Sequence, residues 1–181
     1  MNLPKVVILR YGHRTIRDKR VSTHTALVAR AFGADGLYFD TIDKELKTNI
    51  ERVVERFGGP FFVKMGDSWN DMIERWRSEG GEIIHLTMYG LPLPEVIEEI
   101  KQSSKKKLVV VGSEKVPGKI YQISDYNVAV TNQPHSEIAA LCIFLDRIFD
   151  GRAVEGSIQF KGAKLKIIPS ARGKHVKECS I

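Results

Sequence analysis

The chain has 181 residues, of which 43% are hydrophobic and 28% are charged, as is ordinary for a globular domain with its own core. No apolar run reaches the roughly 18 residues of a membrane-spanning helix, and residues 6–9 are too short a run for a secretory signal, so we expect a cytoplasmic protein. The two cysteines, Cys142 and Cys179, form no CxxC pattern or ligand cluster, which excludes a disulfide framework and argues against a metal site.

Six short segments predict β-strands. Each is rich in β-branched or aromatic residues and almost continuously hydrophobic, a pattern typical of strands that are buried on both faces of a parallel sheet. Amphipathic helical patterns separate them, and repeated β–α units predict an α/β fold with a mostly parallel sheet flanked by helices. The predicted strands are residues 6–9, 37–39, 61–63, 83–86, 108–111 and 126–130.

The helices are predicted from apolar spacing and from capping residues. The first begins near Ser22 or Thr23, either of which can cap it, and ends at Gly33. Apolar residues three or four apart predict a second helix up to Gly58. The others are predicted behind Ser68, from Pro94, after Pro117 and over residues 136–149.

The pattern changes after Gly151. Residues 157–161 and 164–168, separated by Gly162 and Ala163, predict a β-hairpin in which Leu165 and Ile167 alternate with Lys164 and Lys166. We therefore expect a main α/β domain over residues 1–151 and a C-terminal β-hairpin extension over residues 152–181.

Positive charge is concentrated near the N-terminus. The net charge is +6, and only Asp18 opposes the cations between residues 10 and 20. Such density in one strand-to-helix connection indicates phosphate binding about as strongly as it indicates a solvated loop. The cluster consists of Arg10, His13, Arg14, Arg17, Lys19 and Arg20.

Three loops of small and polar residues follow predicted strands in the second half of the chain. They are residues 85–90, 112–117 and 131–137. Ligands of open parallel sheets bind at the carboxyl ends of strands, and three such loops in successive units predict a binding site there. The sequence carries no G-x-G-x-x-G or G-x-x-x-x-G-K-[ST] motif and no nucleophile signature, which argues against dehydrogenases, P-loop NTPases and triad hydrolases.

The blocks His85-Leu86-Thr87-Met88-Tyr89-Gly90 and Asn132-Gln133-Pro134-His135-Ser136-Glu137 carry a specific resemblance. They resemble the cofactor loops of the SPOUT methyltransferases, and most closely those of the archaeal tRNA 2′-O-methyltransferases that act on the cytidine at tRNA position fifty-six. Residues 9–14, 17–20, 23–24, 31–34, 112–117 and 171–174 extend the resemblance over nearly the whole chain. Tyr11, Ser113 and Thr131 depart from the usual pattern.

The resemblance implies a trefoil knot in the C-terminal half, a homodimer with the last helix in its interface, tRNA as partner, and S-adenosylmethionine as methyl donor. It implies methylation of a ribose 2′-hydroxyl in the T-loop of tRNA. It also assigns cofactor binding to the three loops. The residues concerned are Leu86, Gly112, Ser113, Glu114, Lys115, Val116, Val130, Thr131, Asn132, Gln133, Pro134, His135, Ser136 and Glu137.

The resemblance makes Arg30, six residues after His24, the candidate catalytic residue, because ribose-modifying relatives place an arginine at this spacing from a polar residue. Arg30 would orient the target phosphate and stabilise the developing oxyanion while a phosphate oxygen takes the proton. Its alternative role is that of a surface residue in the last turn of a helix.

The RNA surface is expected to comprise the N-terminal basic cluster and His24, extended by the basic face of the hairpin. That basic face is alternatively a solvated sheet edge. Two other functions stay open: a tRNA-binding protein without catalysis, and a methyltransferase that acts on a base nitrogen. The expected RNA-binding residues are Arg10, His13, Arg14, Arg17, Lys19, Arg20 and His24.

Overall fold

A computed structural model describes residues 5–14, 18–112 and 115–179. The predicted site residues Arg17, Ser113 and Glu114 lie outside these ranges. Six parallel strands form one sheet in the order β3-β2-β1-β5-β4-β6, which confirms the predicted α/β class and all six predicted strands. The strands are β1 (Val6–Tyr11), β2 (Gly36–Phe39), β3 (Phe62–Met65), β4 (Glu82–Pro92), β5 (Lys107–Gly112) and β6 (Tyr126–Ala129).

Helices cover both faces of the sheet, which explains why the strands are hydrophobic throughout. Val6 and Ile8 of β1 belong to one buried cluster, whereas Val7 and Leu9 belong to a second cluster on the opposite face. No helix in the described ranges is long and apolar enough to cross a membrane. The helices are α1 (Lys19–Ala31), α2 (Lys44–Phe57), α3 (Trp69–Ser78), α4 (Leu93–Gln102), α5 (Gly118–Ile123) and α6 (Glu137–Ile148).

The predicted start of α1 is wrong by about one turn. The helix begins at Lys19, after Asp18 at the N-cap position, and Ser22 lies inside it. Ser22 is fully buried, and its hydroxyl contacts Arg10 and His13. A serine that suggested a cap therefore serves a buried polar network, and periodicity does not distinguish these uses.

Strand β4 continues past its neighbour in an irregular way that shapes the edge of the sheet. Leu86 and Leu91 both pair with Val128 of β6, so the four residues between them loop out of the ladder. Gly90 lies so close to β6 that a Cβ there would be 2.4 Å from the backbone of Asn127. Glycine is therefore required at this position for the two strands to approach.

The C-terminal hairpin is present, but its predicted pairing is wrong. Strand β7 (Leu165–Ile168) pairs antiparallel with β8 (His175–Glu178), not with residues 157–161. The latter segment is held by the main sheet domain: Lys161 forms an isolated bridge with Gly59, and the ring of Phe160 lies 4.5 Å from the Arg30 guanidinium. Contacts with the domain therefore take the place of the expected local pairing.

Candidate functional site

A cavity of about 760 Å³ opens at the carboxyl ends of β4 and β5 and beside the start of α6. Each of the three predicted loops contributes to its wall, so the structure brings together segments that are far apart in the sequence. This is the edge at which open parallel sheets bind ligands. The predicted residues that line the cavity are Leu86, Gly112, Lys115, Val116, Val130, His135 and Glu137.

Several predicted residues of the third loop shape the cavity without lining it. The side-chain amide of Asn132 donates hydrogen bonds to the carbonyl oxygens of Met88, at 2.8 Å, and Gly90, at 3.1 Å. The Ser136 hydroxyl accepts a hydrogen bond from the Ile138 N–H and caps α6. These bonds tie two of the loops together and fix the helix start. The remaining residues outside the lining are Thr131, Gln133 and Pro134.

The sequence prediction missed about half of the cavity wall. The looped-out part of β4 supplies three of the eight additional residues, Thr87, Met88 and Tyr89. They belong to the block of residues 85–90, in which the sequence assigns only Leu86 to the site. The bulge that turns its neighbours inward leaves no signal in hydrophobic periodicity. The additional lining residues are His85, Thr87, Met88, Tyr89, Val111, Gly118, Tyr121 and Ala140.

One wall of the cavity is a hydrogen-bonded cluster around His85. The Asn127 amide nitrogen donates to the Tyr121 carbonyl at 2.9 Å, so its oxygen faces the Nδ1 atom of His85, also at 2.9 Å. Burial lowers the pKa of His85. A neutral imidazole that donates through Nδ1 keeps Nε2 as a hydrogen-bond acceptor. The Tyr121 hydroxyl also contacts Thr87, at 3.1 Å, so the cluster reaches the bulge.

Arg10 does not belong to an exposed RNA surface in this structure, because its side chain is fully buried. Its Nε atom donates to the Ser22 hydroxyl at 2.8 Å, and its Nη2 atom lies 3.3 Å from a carboxylate oxygen of Glu137. Burial lowers the pKa of the Arg10 guanidinium, and the Glu137 charge opposes that effect. We therefore withdraw Arg10 from the expected RNA contacts and assign it to the support of the cavity.

His13 is also buried, with 4% of its surface exposed. Its Nδ1 atom lies 2.7 Å from the Ser22 hydroxyl and its Nε2 atom 3.4 Å from the Asp43 carboxylate. This places His13 between α1 and the start of α2. A histidine in this position connects two helices and does not face a polyanion, so we withdraw it from the RNA contacts too.

Of the rest of the predicted basic cluster, the structure describes Arg14, Lys19 and Arg20, and none of these three is fully buried. Arg20 and His24 are exposed and one helical turn apart on α1. Arg14 is ion-paired with Asp18, and Lys19 with Glu45 of α2.

The connection from β1 to α1 begins beside the cavity. Tyr11, the last residue of β1, is paired with Gly112 of β5, which lines the cavity. The positive charge therefore starts at the same sheet edge as the cavity.

Arg30 is far from the cavity. Because α1 returns from the carboxyl end of β1 to the amino end of β2, its last turn lies at the opposite edge of the sheet. The Arg30 guanidinium donates to the carbonyl oxygens of Phe57 and Gly58 at 2.6–3.1 Å and is covered by Phe160. These contacts cap the C-terminal end of α2. Within one protomer, these contacts therefore favour the alternative structural role of Arg30 over the predicted catalytic one.

Comparison with known proteins gives one family. Residues 57–177 match the family model described as tRNA ribose 2′-O-methyltransferase, aTrm56. A tRNA (cytidine(56)-2′-O)-methyltransferase of Methanoregula boonei is 54% identical over 174 residues, which cover 96% of this chain and 97% of the relative. The enzyme of the same name from Pyrococcus abyssi is 51% identical over 178 residues, covering 96% and 87%.

Solved structures share the fold at low sequence identity. The TrmH/SpoU tRNA modifying enzyme of A. aeolicus superposes with a TM-score of 0.59 at 15% identity, covering 84% of this chain and 78% of that one. The SpoU methyltransferase AviRb of Streptomyces viridochromogenes, solved in complex with AdoMet, gives a TM-score of 0.56 at 14% identity, covering 84% and 59%. The fold is therefore that of the SpoU/TrmH methyltransferases.

Proposed function

The chain belongs to the tRNA ribose 2′-O-methyltransferase family, and from this premise we propose that it transfers the methyl group of S-adenosylmethionine to the ribose 2′-hydroxyl of cytidine 56 in tRNA. The observation that carries the proposal is a cavity built from three loops at the same sheet edge as the basic β1–α1 connection. A methyl donor and a polyanionic acceptor would meet at this edge.

The cavity suits S-adenosylmethionine in size and chemistry. Its volume of about 760 Å³ lies within the range of small-molecule sites. Leu86, Val116 and Val130 offer apolar contacts to an adenine ring, and the Glu137 carboxylate is suited to the cofactor's amino group. The cofactor supplies an activated methyl group, and the residues of this chain hold it in place.

The part of the protein in the reaction is then mainly to position the ribose hydroxyl against the cofactor and to stabilise the charge that develops. The exposed residues Arg20 and His24, with Arg14 and Lys19, are suited to hold the tRNA phosphates near the cavity. Arg17, which lies outside the described residues, stays a predicted RNA contact. A phosphate oxygen of the substrate would take the hydroxyl proton, as expected from the resemblance.

Tritium transfer from labelled S-adenosylmethionine to unmodified tRNA, followed by nucleoside mapping, tests the proposal. We expect one methyl group on the ribose of cytidine 56. The matched substrate carries 2′-deoxycytidine there, and it should accept no label. Continued labelling would indicate a base-nitrogen methyltransferase, and failure to bind S-adenosylmethionine in calorimetry would indicate a tRNA-binding protein without catalysis.

We also propose a homodimer with α6 in the interface. Ile143 of α6 is 44% exposed although much of this helix is buried. It lines a groove of about 650 Å³ together with Leu93 and Ile97 of α4. Sedimentation at micromolar protein should show a dimer, and a monomer would contradict this. As an enzyme of tRNA, the protein would act in the cytoplasm.

The implied trefoil knot is likewise a proposal. The bulge of β4 passes close against β6 at Gly90, and Asn132 bonds back to the same bulge. These contacts suit a chain segment threaded between β4 and the start of α6. Pulling on both termini with optical tweezers should give an extended length shorter than that of an unknotted 181-residue chain. The full length would contradict the knot.

A further inference from the structure

The hairpin β7–β8 has one face that is basic and one that is largely apolar. Residues directly opposite each other in an antiparallel pair project to the same side. Lys166 is opposite Lys177, and Ile168 is opposite His175. Both pairs project to the same side of the hairpin, because residues two apart on a strand share a side.

The two sides of the hairpin carry different side chains. Side chains switch sides from one residue to the next, so Lys166 shares its side with Ile168 and Lys177 shares its side with His175. The other side carries Leu165, Ile167, Val176 and Glu178. The only carboxylate of the two strands therefore lies on the side away from the lysines.

The opposed lysines destabilise the hairpin of the free protein. Like charges directly opposite each other destabilise a strand pair, and a two-stranded ribbon has little stability to spare. Lys166 and Lys177 are exposed, as are Arg172 and Lys174 in the connecting turn. Among the residues that the structure describes, none of these four forms an ion pair, whereas Lys164 next to β7 is paired with Glu55. Their charges are therefore available to an external anion.

The position of the hairpin separates it from the cavity. Lys164 donates its backbone N–H to the Arg56 carbonyl at 3.0 Å, which fixes the ribbon beside the C-terminal end of α2. That end of α2 precedes β3 and so lies at the amino edge of the sheet, opposite the cavity. A ligand on this face would therefore be bound far from the methyl donor of the same protomer.

We propose that the basic face formed by Lys166, Lys177, His175 and the turn cations Arg172 and Lys174 binds the phosphate backbone of the tRNA substrate at a distance from the target nucleotide. This inference rests on the proposed function, which supplies the polyanion. Phosphates bound to the opposed lysines would neutralise their charges and remove their repulsion, so the bound hairpin is more stable than the free one. The contact strengthens tRNA binding without taking part in methyl transfer.

The test compares the double variant Lys166→Gln and Lys177→Gln with a control variant that removes two positive charges elsewhere. Arg77 at the end of α3 and Lys64 of β3 are exposed cations outside the hairpin, so Arg77→Gln with Lys64→Gln is the control. Losing two phosphate contacts should make the salt dependence shallower, reducing the magnitude of the slope of log affinity against log salt by about 1.5. Binding should weaken about tenfold near 0.1 M salt. The KM for tRNA should rise while kcat and cofactor affinity stay unchanged.

Thermal stability gives a second readout with the opposite sign. Lys166→Glu places a negative charge opposite Lys177, so it should stabilise the free protein while weakening tRNA binding further. Unchanged tRNA affinity and salt slope in both hairpin variants would overturn the proposal, as would equal effects of the control. If the unaltered protein itself fails to methylate tRNA, the proposed function has failed and not only the role of the hairpin.

Discussion

Arg10 at the carboxyl end of β1 reaches Glu137 in the first turn of α6, with Nη2 3.3 Å from Oε1. The arginine is fully buried, and the glutamate lines the cavity. The pair therefore joins the central strand of the sheet to the helix that closes the site. The shape of the cavity therefore depends on the ion pair between the buried Arg10 and Glu137.

Glu137→Gln should lower stability and cofactor affinity together. It keeps a hydrogen-bond acceptor but removes the negative charge paired with the buried Arg10, so we expect a loss of about 1–3 kcal/mol in the free energy of unfolding. Urea denaturation and calorimetry with S-adenosylmethionine measure the two effects. Glu95→Gln is the matched control, since Glu95 is an exposed acidic residue in the first turn of α4. Equal losses in both variants would mean that the effect comes from the helix dipole and not from the pair with Arg10.

Arg30→Ala should destabilise the protein and leave the chemistry intact. The variant loses the bonds to the Phe57 and Gly58 carbonyls and the contact with Phe160, together about 2–4 kcal/mol. Denaturation with urea measures the loss, and kcat of the folded enzyme should be unchanged. Arg52→Ala on the exposed side of α2 should have little effect on either quantity. A stable Arg30→Ala protein with a greatly reduced kcat would restore the catalytic assignment.

His85 should make the protein less stable in mild acid. Because burial holds the pKa of His85 below its ordinary 6.5, the unfolded chain binds a proton near that pH that the folded chain does not. Stability attributable to this group is therefore complete above pH 6.5 and falls as the pH decreases, by at most about 1.4 kcal/mol per pH unit. His85→Gln should flatten the dependence of unfolding free energy on pH between 7 and 5. The control is His175→Gln on the exposed strand β8, and identical slopes for the two variants would refute the assignment.

Gly90→Ala should disrupt the edge of the sheet at the cavity. The added methyl group would lie 2.4 Å from the Asn127 backbone, which has no flexible side chain to move aside. We expect a loss of about 1–3 kcal/mol in stability from overpacking, together with weaker cofactor binding. Gly118→Ala tests the same change at a cavity residue with open space around its Cα. Stability of Gly90→Ala equal to that of the unaltered chain would show that β4 and β6 can separate freely.

The strands are predictable because burial on both faces of a parallel sheet produces a continuous run of hydrophobic residues. Most helices are predictable from their apolar spacing. Val6 to Leu9 face two different clusters in alternation, and both are apolar. The start of α1 is not predictable in this way, since Ser22 has the composition of a cap and the environment of a core residue. The hairpin pairing also depends on distant contacts, those of Phe160 and Lys161 with the main domain.

The site is predictable in its loops and not in its individual side chains. Topology brings the ends of β4 and β5 and the start of α6 to one edge, so the three loops meet as expected. Spacing along α1 does not reveal that Arg30 lies at the other edge, because a helix of 13 residues spans the depth of the sheet. Likewise, charge density near the N-terminus does not reveal that Arg10 turns inward.

The walls of the cavity come from three stretches of chain that begin at His85, Val111 and Val130. A small molecule seated among them acts as a non-covalent crosslink between these stretches, in addition to the hydrogen bonds that Asn132 and Tyr121 already form with the β4 bulge. At a free concentration one hundred times its dissociation constant, such a molecule adds about 2.7 kcal/mol to the resistance against unfolding. The stability of this protein would then depend on the supply of its methyl donor, and depletion of that donor would expose the chain to proteases.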